Sequence, residues 1–349
     1  MRTLVKIEIL AACCVIAAAL FFPAFLGEQH AEKTILLMDT VVKLSANGAQ
    51  PEEAIEESLQ RLQELDTLLQ PKSEELERIS RFAGKQPVKI SPELFHILEV
   101  SQEYSKRTDG AWDVTAGKLV ELWGIGTEHA KVPSEEEISV ALQKVGWQHL
   151  QLDAGEQTAF LEIEGMKLDL GGIAKGYAAD EVRRIYEQHG IKSGLINLGA
   201  SSIYAVGQKE HRPWRIGIRH PRSENADTCL AVIPLSDAAL STSGDYERTL
   251  EENGKKYHHI LNPKTGYPAD EGIISNTIIV SGTAKDAGML SDLLTTAVFV
   301  MGRESGKAFL ETLPEEVHGA IADKDGNILA LHGMADKMEQ IAEDFTLIK

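Results

Sequence analysis

The sequence predicts an α+β fold in one compact body, and three observations carry that prediction. From residue 149 onward short strand-like segments follow one another directly, as in HLQLD (149–153), TAFLEIE (158–164) and MKLDL (166–170). Helical stripes interrupt them irregularly, unlike the strand–helix alternation that builds a doubly wound parallel sheet. The 349 residues carry no tandem repeat, low-complexity tract or long linker, and 43% hydrophobic with 25% charged content suits a globular protein with a sizeable core. A net charge of −18, without a long acidic block, argues against nucleic acid as a partner.

Residues 1–30 stand apart as a targeting segment ahead of a body spanning 31–349. Arg2 and Lys6 precede an apolar run of 19 residues, 9–27, with no charge inside it. That length spans a bilayer as a helix, and the basic residues place its start in the cytoplasm. The body then lies on the extracytoplasmic side of the cytoplasmic membrane. A retained anchor is the expectation. A cleaved signal peptide lacks a clear small-x-small site, and the lipobox letters Leu10-Ala11-Ala12-Cys13 have most of the apolar run after the cysteine. Cys229, alone in the body, excludes an internal disulfide and reads as a small buried apolar residue.

Within the body, 32–47 reads as an opening strand ended by Asn47-Gly48. Pro51 begins a helix with Ile55, Leu59, Leu62, Leu65 and Leu69 on one stripe. Residues 71–90 read as loop and short strand. A helix then starts at Ser91-Pro92 and runs to Asp109-Gly110, and Ser134 with Glu137 forms the capping box of another that stops at Gly146. After the strands from 149, a helix over 175–189 leads into strands at 194–199, 202–207, 214–220, 229–235 and 238–244. Asn253-Gly254 marks a hairpin turn. A strand over 273–281 precedes an apolar helix over 284–301, a short helix over 306–312, a hairpin across Asp325-Gly326 and a mixed tail.

Three stretches carry chemistry. In KLDLGGIAKGYAAD (167–180) a strand meets a Gly171-Gly172 turn and a helix, a geometry that brings backbone close to a ligand and aims free N–H groups at phosphate. It is neither a Walker A loop, since Tyr177-Ala178 stands where Lys-Ser/Thr is needed, nor GxGxxG. In 287–302, AGMLSDLLTTAVFVMG, Asp292 is the single charged residue of a helix apolar around most of its circumference, and Thr296 lies on its face four residues on. A carboxylate beside a hydroxyl is a hard-oxygen pair suited to Mg²⁺ near phosphate; a backbone or basic partner for Asp292 is the structural alternative. In 240–268, LSTSGDYER is followed by YHHILNPKTGYP, where His258 or His259 suits a general base or a satisfied structural histidine. Zinc lacks HExxH or a third ligand, and Ser243 lacks a GxSxG elbow.

Together these stretches ask for a phosphate-bearing ligand, a hard divalent cation and an imidazole base. Over about 35–335 the sequence resembles the ApbE family, the FAD:protein FMN transferases. The matching motifs are TDGAWDVTAG (108–117), LDLGGIAKGYAAD (168–180), INLGASSIYAVG (196–207), LSTSGDYER (240–248), HHILNPKTGYP (258–268) and SDLLTTAVFVMG (291–302). The resemblance implies FAD as substrate, Mg²⁺ as cofactor, and transfer of FMN onto a threonine hydroxyl of a target flavoprotein with release of AMP. It implies metal ligands at the Ala174 carbonyl, Asp292 and Thr296, and an FAD site including Met38, Ala111, Trp112, Asp113, Gly171, Tyr177 and Ile260. His259 is the implied catalytic histidine, with Asp292 fixing the metal. Three positions depart from the family pattern: Asp39 and Ala200 stand where glycine is common, and Asn262 where Asp is common. An FAD pyrophosphatase, or a membrane-tethered flavin-binding protein without catalysis, are the alternatives.

Overall fold

A computed structural model describes residues 29–225 and 227–348, so the expected membrane segment lies outside the described residues. Among the described residues no helix is long and apolar enough to cross a membrane. The chain opens with β1 (Gln29–Leu37) and β2 (Thr40–Gly48), an antiparallel hairpin where the sequence suggested one strand. The turn is Met38-Asp39, both left-handed (φ 53° and 55°), and two adjacent positive φ angles are the geometry of the tight turns that twisted hairpins favour. A methionine in that position is not a turn signal, which is why the break was not legible.

Next come α1 (Pro51–Leu69), α2 (Glu74–Arg81), β3 (Val88–Lys89) and α3 (Pro92–Arg107). The region expected to be loop holds α2, a helix of only eight residues. Its Ser73 side chain accepts from Leu76 N at 3.4 Å, and Leu76 and Ile79 supply its only two buried positions, too short a stripe to stand out as a period. Ser91 caps α3 in the same way, with Pro92 opening the helix. Two short helices, α4 (Gly117–Trp123) and α5 (Glu135–Leu142), follow, the latter with the expected Ser134/Glu137 capping box complete. β4 (Leu150–Asp153) and β5 (Thr158–Leu161) pair as expected. Residues 166–170 are extended but not a strand: Lys167 makes a single bridge to Ala116, and Asp169 N donates to Val114 O at 2.8 Å.

After α6 (Ala174–Gln188) come β6 (Ile191–Leu198), β7 (Ser202–Val206), β8 (Trp214–Arg219), β9 (Cys229–Leu235), β10 (Ala238–Gly244), β11 (Thr249–Glu252), β12 (Lys255–His258) and β13 (Ile273–Ser281), of which β8–β9 and β11–β12 are separate hairpins. Then come α7 (Ala287–Leu310), β14 (Val317–Asp323), β15 (Asn327–Leu331), α8 (Met334–Lys337) and β16 (Thr346–Ile348). Gly302 is non-helical (φ 79°, ψ 176°) within α7 and separates the two helical pieces that the sequence distinguishes. Nine strands form one sheet in the order β1-β2-β6-β7-β10-β13-β14-β15-β16, antiparallel except where β16 pairs parallel with β15. The expected α+β class holds, with the large sheet as its centre.

That sheet is buried on both faces at its middle. Along β13, Ile278 and Val280 join the core under the helices, while the alternate Ile279 joins a second core beneath the β8–β9 hairpin and α8. Trp123, Leu119 and Ile138 form a third cluster around α4 and α5. Cys229 is half-buried at a hairpin edge, not a core residue, and its sulfur occupies the space that a side chain on Gly217 would take.

Candidate active site

Two helices, α6 and α7, cross on the sheet so tightly that only glycine fits at the crossing. A Cβ on Gly176 would lie 2.2 Å from Gly288 O and 2.7 Å from Asp292 Cβ, and one on Gly288 would lie 2.4 Å from Gly176 O. The close approach is fixed electrostatically by Asp180, whose two carboxylate oxygens accept from Gly288 N and Met289 N, both at 2.8 Å. This is a carboxylate supplied by one helix to the N-terminus of its neighbour. Burial pushes the Asp180 carboxyl up to about 6, against those two N–H donors. Ser291 Oγ adds a 2.8 Å hydrogen bond to Ser241 Oγ, tying α7 to β10.

The crossing brings together most of the sequence-derived metal set. Gly176 N donates to Asp292 Oδ2 at 3.0 Å, so one oxygen of this buried carboxylate is oriented by the turn. Asp292 is pushed up by burial, with Lys175 and the Gly176 N–H acting in the opposite direction. Thr296 is half-buried, and its Oγ1 would be 2.6 Å from a Cβ on Gly172, with Trp112 Cζ3 at 2.9 Å from the same point. The Gly171-Gly172 turn therefore lies directly against Thr296 and Trp112, and Ala174 follows as the first residue of α6. Among the described residues no group of three or more His, Cys, Asp or Glu side chains is placed to hold a metal ion. A cation here would rely on a mixed set of carboxylate, hydroxyl and carbonyl, which is the donor chemistry of a hard ion.

Of the helix N–H groups expected to face a phosphate, several are engaged within the protein. Ala174 N donates to Leu170 O at 2.9 Å, Tyr177 N to Ile173 O at 3.0 Å, and Gly176 N is engaged by Asp292. Three N–H groups of the first turn are thus engaged, and the side chains of Asp169 and Lys175 add polarity beside it. Gly171 is exposed, its N–H accepted by Asp169 Oδ1 at 2.9 Å, and burial raises the Asp169 carboxyl. Lys175 extends from the same turn to Ser201 Oγ at 2.5 Å.

The remaining sequence-derived residues take different places. Ala111 and Trp112 are buried, and the Trp112 indole N–H is a buried donor without a partner among the described residues. Asp113 is engaged structurally: Oδ1 accepts from Thr115 N at 2.8 Å and Thr115 Oγ1 at 2.6 Å, and Oδ2 from Trp147 N at 2.9 Å. Tyr177 is buried on α6, facing the ionic cluster of Arg61, Glu93 and Arg184. Ile260 is buried, its carbonyl accepting from Ala269 N at 2.9 Å. Met38 sits half-buried in the β1–β2 turn; beside that turn, Thr40 packs against Gly199 in the loop that leads to Ser201.

The two histidines separate as alternation requires. His258 hydrogen-bonds Ala269 O through Nε2 at 2.8 Å, a satisfied structural residue. His259 Nδ1 is buried without a partner among the described residues, and burial, aided by Arg248 and His258, pushes the imidazole down to about 4. It is therefore neutral near pH 7 and able to accept a proton. Sequence reasoning missed Asp180, the Gly176–Gly288 crossing and the Lys175–Ser201 contact. A glycine in the first turn of each of two helices was the one signal for the crossing.

These features define a mixed α/β protein whose polar centre is assembled on a helix crossing. Residues 38–321 match the ApbE family. An FAD:protein FMN transferase of Klebsiella pneumoniae is 33% identical over 271 residues, covering 78% of this chain and 81% of that protein. Its counterpart in Treponema pallidum is 31% identical over 316 residues, covering 86% and 85%. The crystal structure of the ApbE protein of Thermotoga maritima aligns with a TM-score of 0.80 at 30% identity, over 89% of this chain and all (100%) of that one. The flavin transferase ApbE of Vibrio cholerae aligns with a TM-score of 0.74 at 27% identity, over 85% and 94%. The chain belongs to the ApbE family.

Proposed function

We propose that this chain, an enzyme of the FAD:protein FMN transferase class, moves the FMN half of FAD onto a threonine hydroxyl of a target flavoprotein in a Mg²⁺-dependent reaction that leaves AMP. The observation that carries the reading is the α6–α7 crossing. It sets the Gly171-Gly172 turn against Thr296 Oγ1 and orients Asp292 through Gly176 N, so the start of α6 lies beside two oxygen-bearing side chains of α7 from a distant part of the chain. A buried carboxylate with a raised pKa gains from a neighbouring cation, so the residues fit the ion. Ala174 O, Asp292 and Thr296 would hold Mg²⁺, which when bound supplies neutralisation of charge on phosphate oxygens.

The chain's own residues do the rest. Trp112 offers a buried, unpartnered N–H and an indole surface beside Gly172, a fixed donor for one acceptor atom of FAD. Neutral His259 takes the proton from the acceptor hydroxyl as its oxygen bonds to the FMN phosphorus and the bond to AMP breaks. Positioning and electrostatics supply most of the acceleration in phosphoryl transfer of this kind. The N-terminal apolar run would tether the body outside the cytoplasmic membrane, near membrane-bound or secreted redox proteins.

The test is incubation of the purified enzyme with FAD, Mg²⁺ and threonine-bearing candidate targets, read by in-gel flavin fluorescence and mass spectrometry. The expected result is a covalently fluorescent target and AMP, both lost with Asp292→Ala. Release of AMP and FMN without labelling of any target would indicate hydrolysis instead. Absence of Mg²⁺-dependent AMP release would indicate a flavin-binding protein without catalysis.

A further inference from the structure

A groove of about 500 Å³ lies between α4 and α5, and the transfer chemistry above uses none of its lining. Its floor is apolar: Leu122, one turn after Lys118 on α4, lines it together with Val140 and Ala141 of α5. Val140 is 55% exposed. Single apolar residues are common on protein surfaces, but this one borders a concave floor of the size that takes a partner's side chains.

Charge along the groove runs in one direction. At one end Lys118 and Lys167 share a single carboxylate, that of Glu121, with Lys118 Nζ 2.7 Å from one of its oxygens. Lys144, just past the end of α5, makes no ion pair among the described residues. Its stem lies along Gly165, where a Cβ would be 3.8 Å from Lys144 Cε. Three ammonium groups thus meet one carboxylate, in a chain whose net charge is −18. The acidic lining residues, Glu136 and Glu137, belong to the other end, the first turn of α5, where Glu137 closes the capping box and pairs with Lys131.

The basic end is also the one nearer the glycine turn. Met166, Leu168 and Leu170 are buried in the core, so Lys167, Asp169 and Gly171 share the outward side of the extended run. Four residues of extended chain put Gly171 at most about 13 Å from Lys167. Gly117 holds α4 against this run, since a Cβ there would lie 2.6 Å from Leu168 O.

Resting on the flavin-transfer reading, we propose that the α4–α5 groove docks the threonine-bearing segment of the target protein. An acidic side chain of the target sits at Lys144, Lys118 and Lys167, about four residues along an extended chain from the acceptor threonine, and an apolar one beyond it sits between Leu122 and Val140. Groove and centre then read one continuous segment, and the negative surface elsewhere turns such a segment away.

The test presents the full-length enzyme, with FAD and Mg²⁺, to a synthetic peptide pool with one central threonine and randomised flanks. Labelled peptides are isolated by flavin fluorescence and sequenced by mass spectrometry. In parallel the pool is passed over immobilised enzyme, and retained peptides are sequenced in the same way. Labelled peptides should be enriched in Asp or Glu, followed outward by Leu, Ile or Phe, at the stated spacing. Lys144→Glu should turn the acidic preference into a basic one and lower labelling of acidic peptides about tenfold, an exposed attraction lost and a repulsion gained. Val140→Asp should remove the apolar preference, Lys144→Arg should keep the wild-type pattern, and FAD affinity should be unchanged in all three. A reversed preference cannot arise from impaired folding. Labelling without a preference at that spacing, or a preference that Lys144→Glu leaves intact, overturns the groove and leaves transfer standing. Retention of acidic and apolar peptides by an enzyme that labels none sinks the transfer reading and leaves the groove standing. Neither retention nor labelling overturns both.

Discussion

Gly172→Ala probes the centre with a single methyl group. The added carbon would lie 2.6 Å from Thr296 Oγ1, 2.9 Å from Trp112 Cζ3 and 3.3 Å from Thr296 Cβ, so the turn and α7 must move apart by close to an ångström. Neither neighbour yields easily: Trp112 is buried, and Thr296 sits on a helix pinned by Asp180. Overpacking of this kind costs about 1–3 kcal/mol of stability. Displacement of a reacting centre by about 1 Å costs on the order of 100-fold in rate. Gly172→Ala should therefore fold, with a melting temperature lowered by several degrees, and lose about two orders of magnitude in Mg²⁺-dependent FMN transfer. The assay is the initial rate of target labelling at saturating FAD, with thermal unfolding of the same preparation in parallel. A variant that keeps near wild-type transfer would refute the packing of the glycine turn against Thr296.

Other perturbations test the supporting structure. Gly176→Ala places a carbon 2.2 Å from Gly288 O, backbone against backbone, and should prevent folding or yield insoluble protein on expression. Asp180→Ala should cost about 2 kcal/mol in denaturant unfolding, since two N–H groups at the start of α7 lose their acceptor. Ala200→Gly should stabilise the protein by roughly 1 kcal/mol, because Ala200 is held at φ 61°, where a glycine has no penalty. His259 gives a pH signature. Its folded value, about 4, lies below the ordinary 6.5, so the unfolded chain takes up the proton first. Stability from this group is complete above 6.5 and is lost as pH falls toward 4, by about 3 kcal/mol. His259→Gln should flatten that part of the stability profile; an unchanged slope between pH 7 and 4.5 would contradict the burial of a neutral imidazole.

Much of the architecture was legible because its signals are local. Pro51 and the leucine stripe, the Ser134/Glu137 box and Asn253-Gly254 each specify their element with a few adjacent residues. The nine-residue strand Ile273–Ser281, IISNTIIVS, was legible from its β-branched residues, and all but its last residue are buried. What escaped was tertiary. The β1–β2 turn is hidden because Met38 adopts a left-handed conformation that its side chain disfavours. Asp39 (φ 55°) and Ala200 (φ 61°), noted only as departures from a glycine pattern, occupy the left-handed positions that glycine serves.

The centre shows the same division. Asp292 and Thr296 were legible as a pair by helical spacing, and Gly171-Gly172 as a turn. That these meet depends on Gly176, Gly288 and Asp180, residues whose role exists only once α6 and α7 cross. Sequence likewise shows where α6 begins, but not that Leu170 O, Asp292 and Ile173 O will take up the N–H groups of Ala174, Gly176 and Tyr177.

The most direct measurement is the mass of a threonine-bearing target after incubation with FAD and the enzyme, with Mg²⁺ or with EDTA, for wild type and Asp292→Asn. The structure predicts one FMN added to a threonine in Mg²⁺ with the wild-type enzyme, and no addition in EDTA or with Asp292→Asn. Equal labelling by Asp292→Asn, or labelling that persists in EDTA, would contradict a metal-dependent centre built on the α6–α7 crossing.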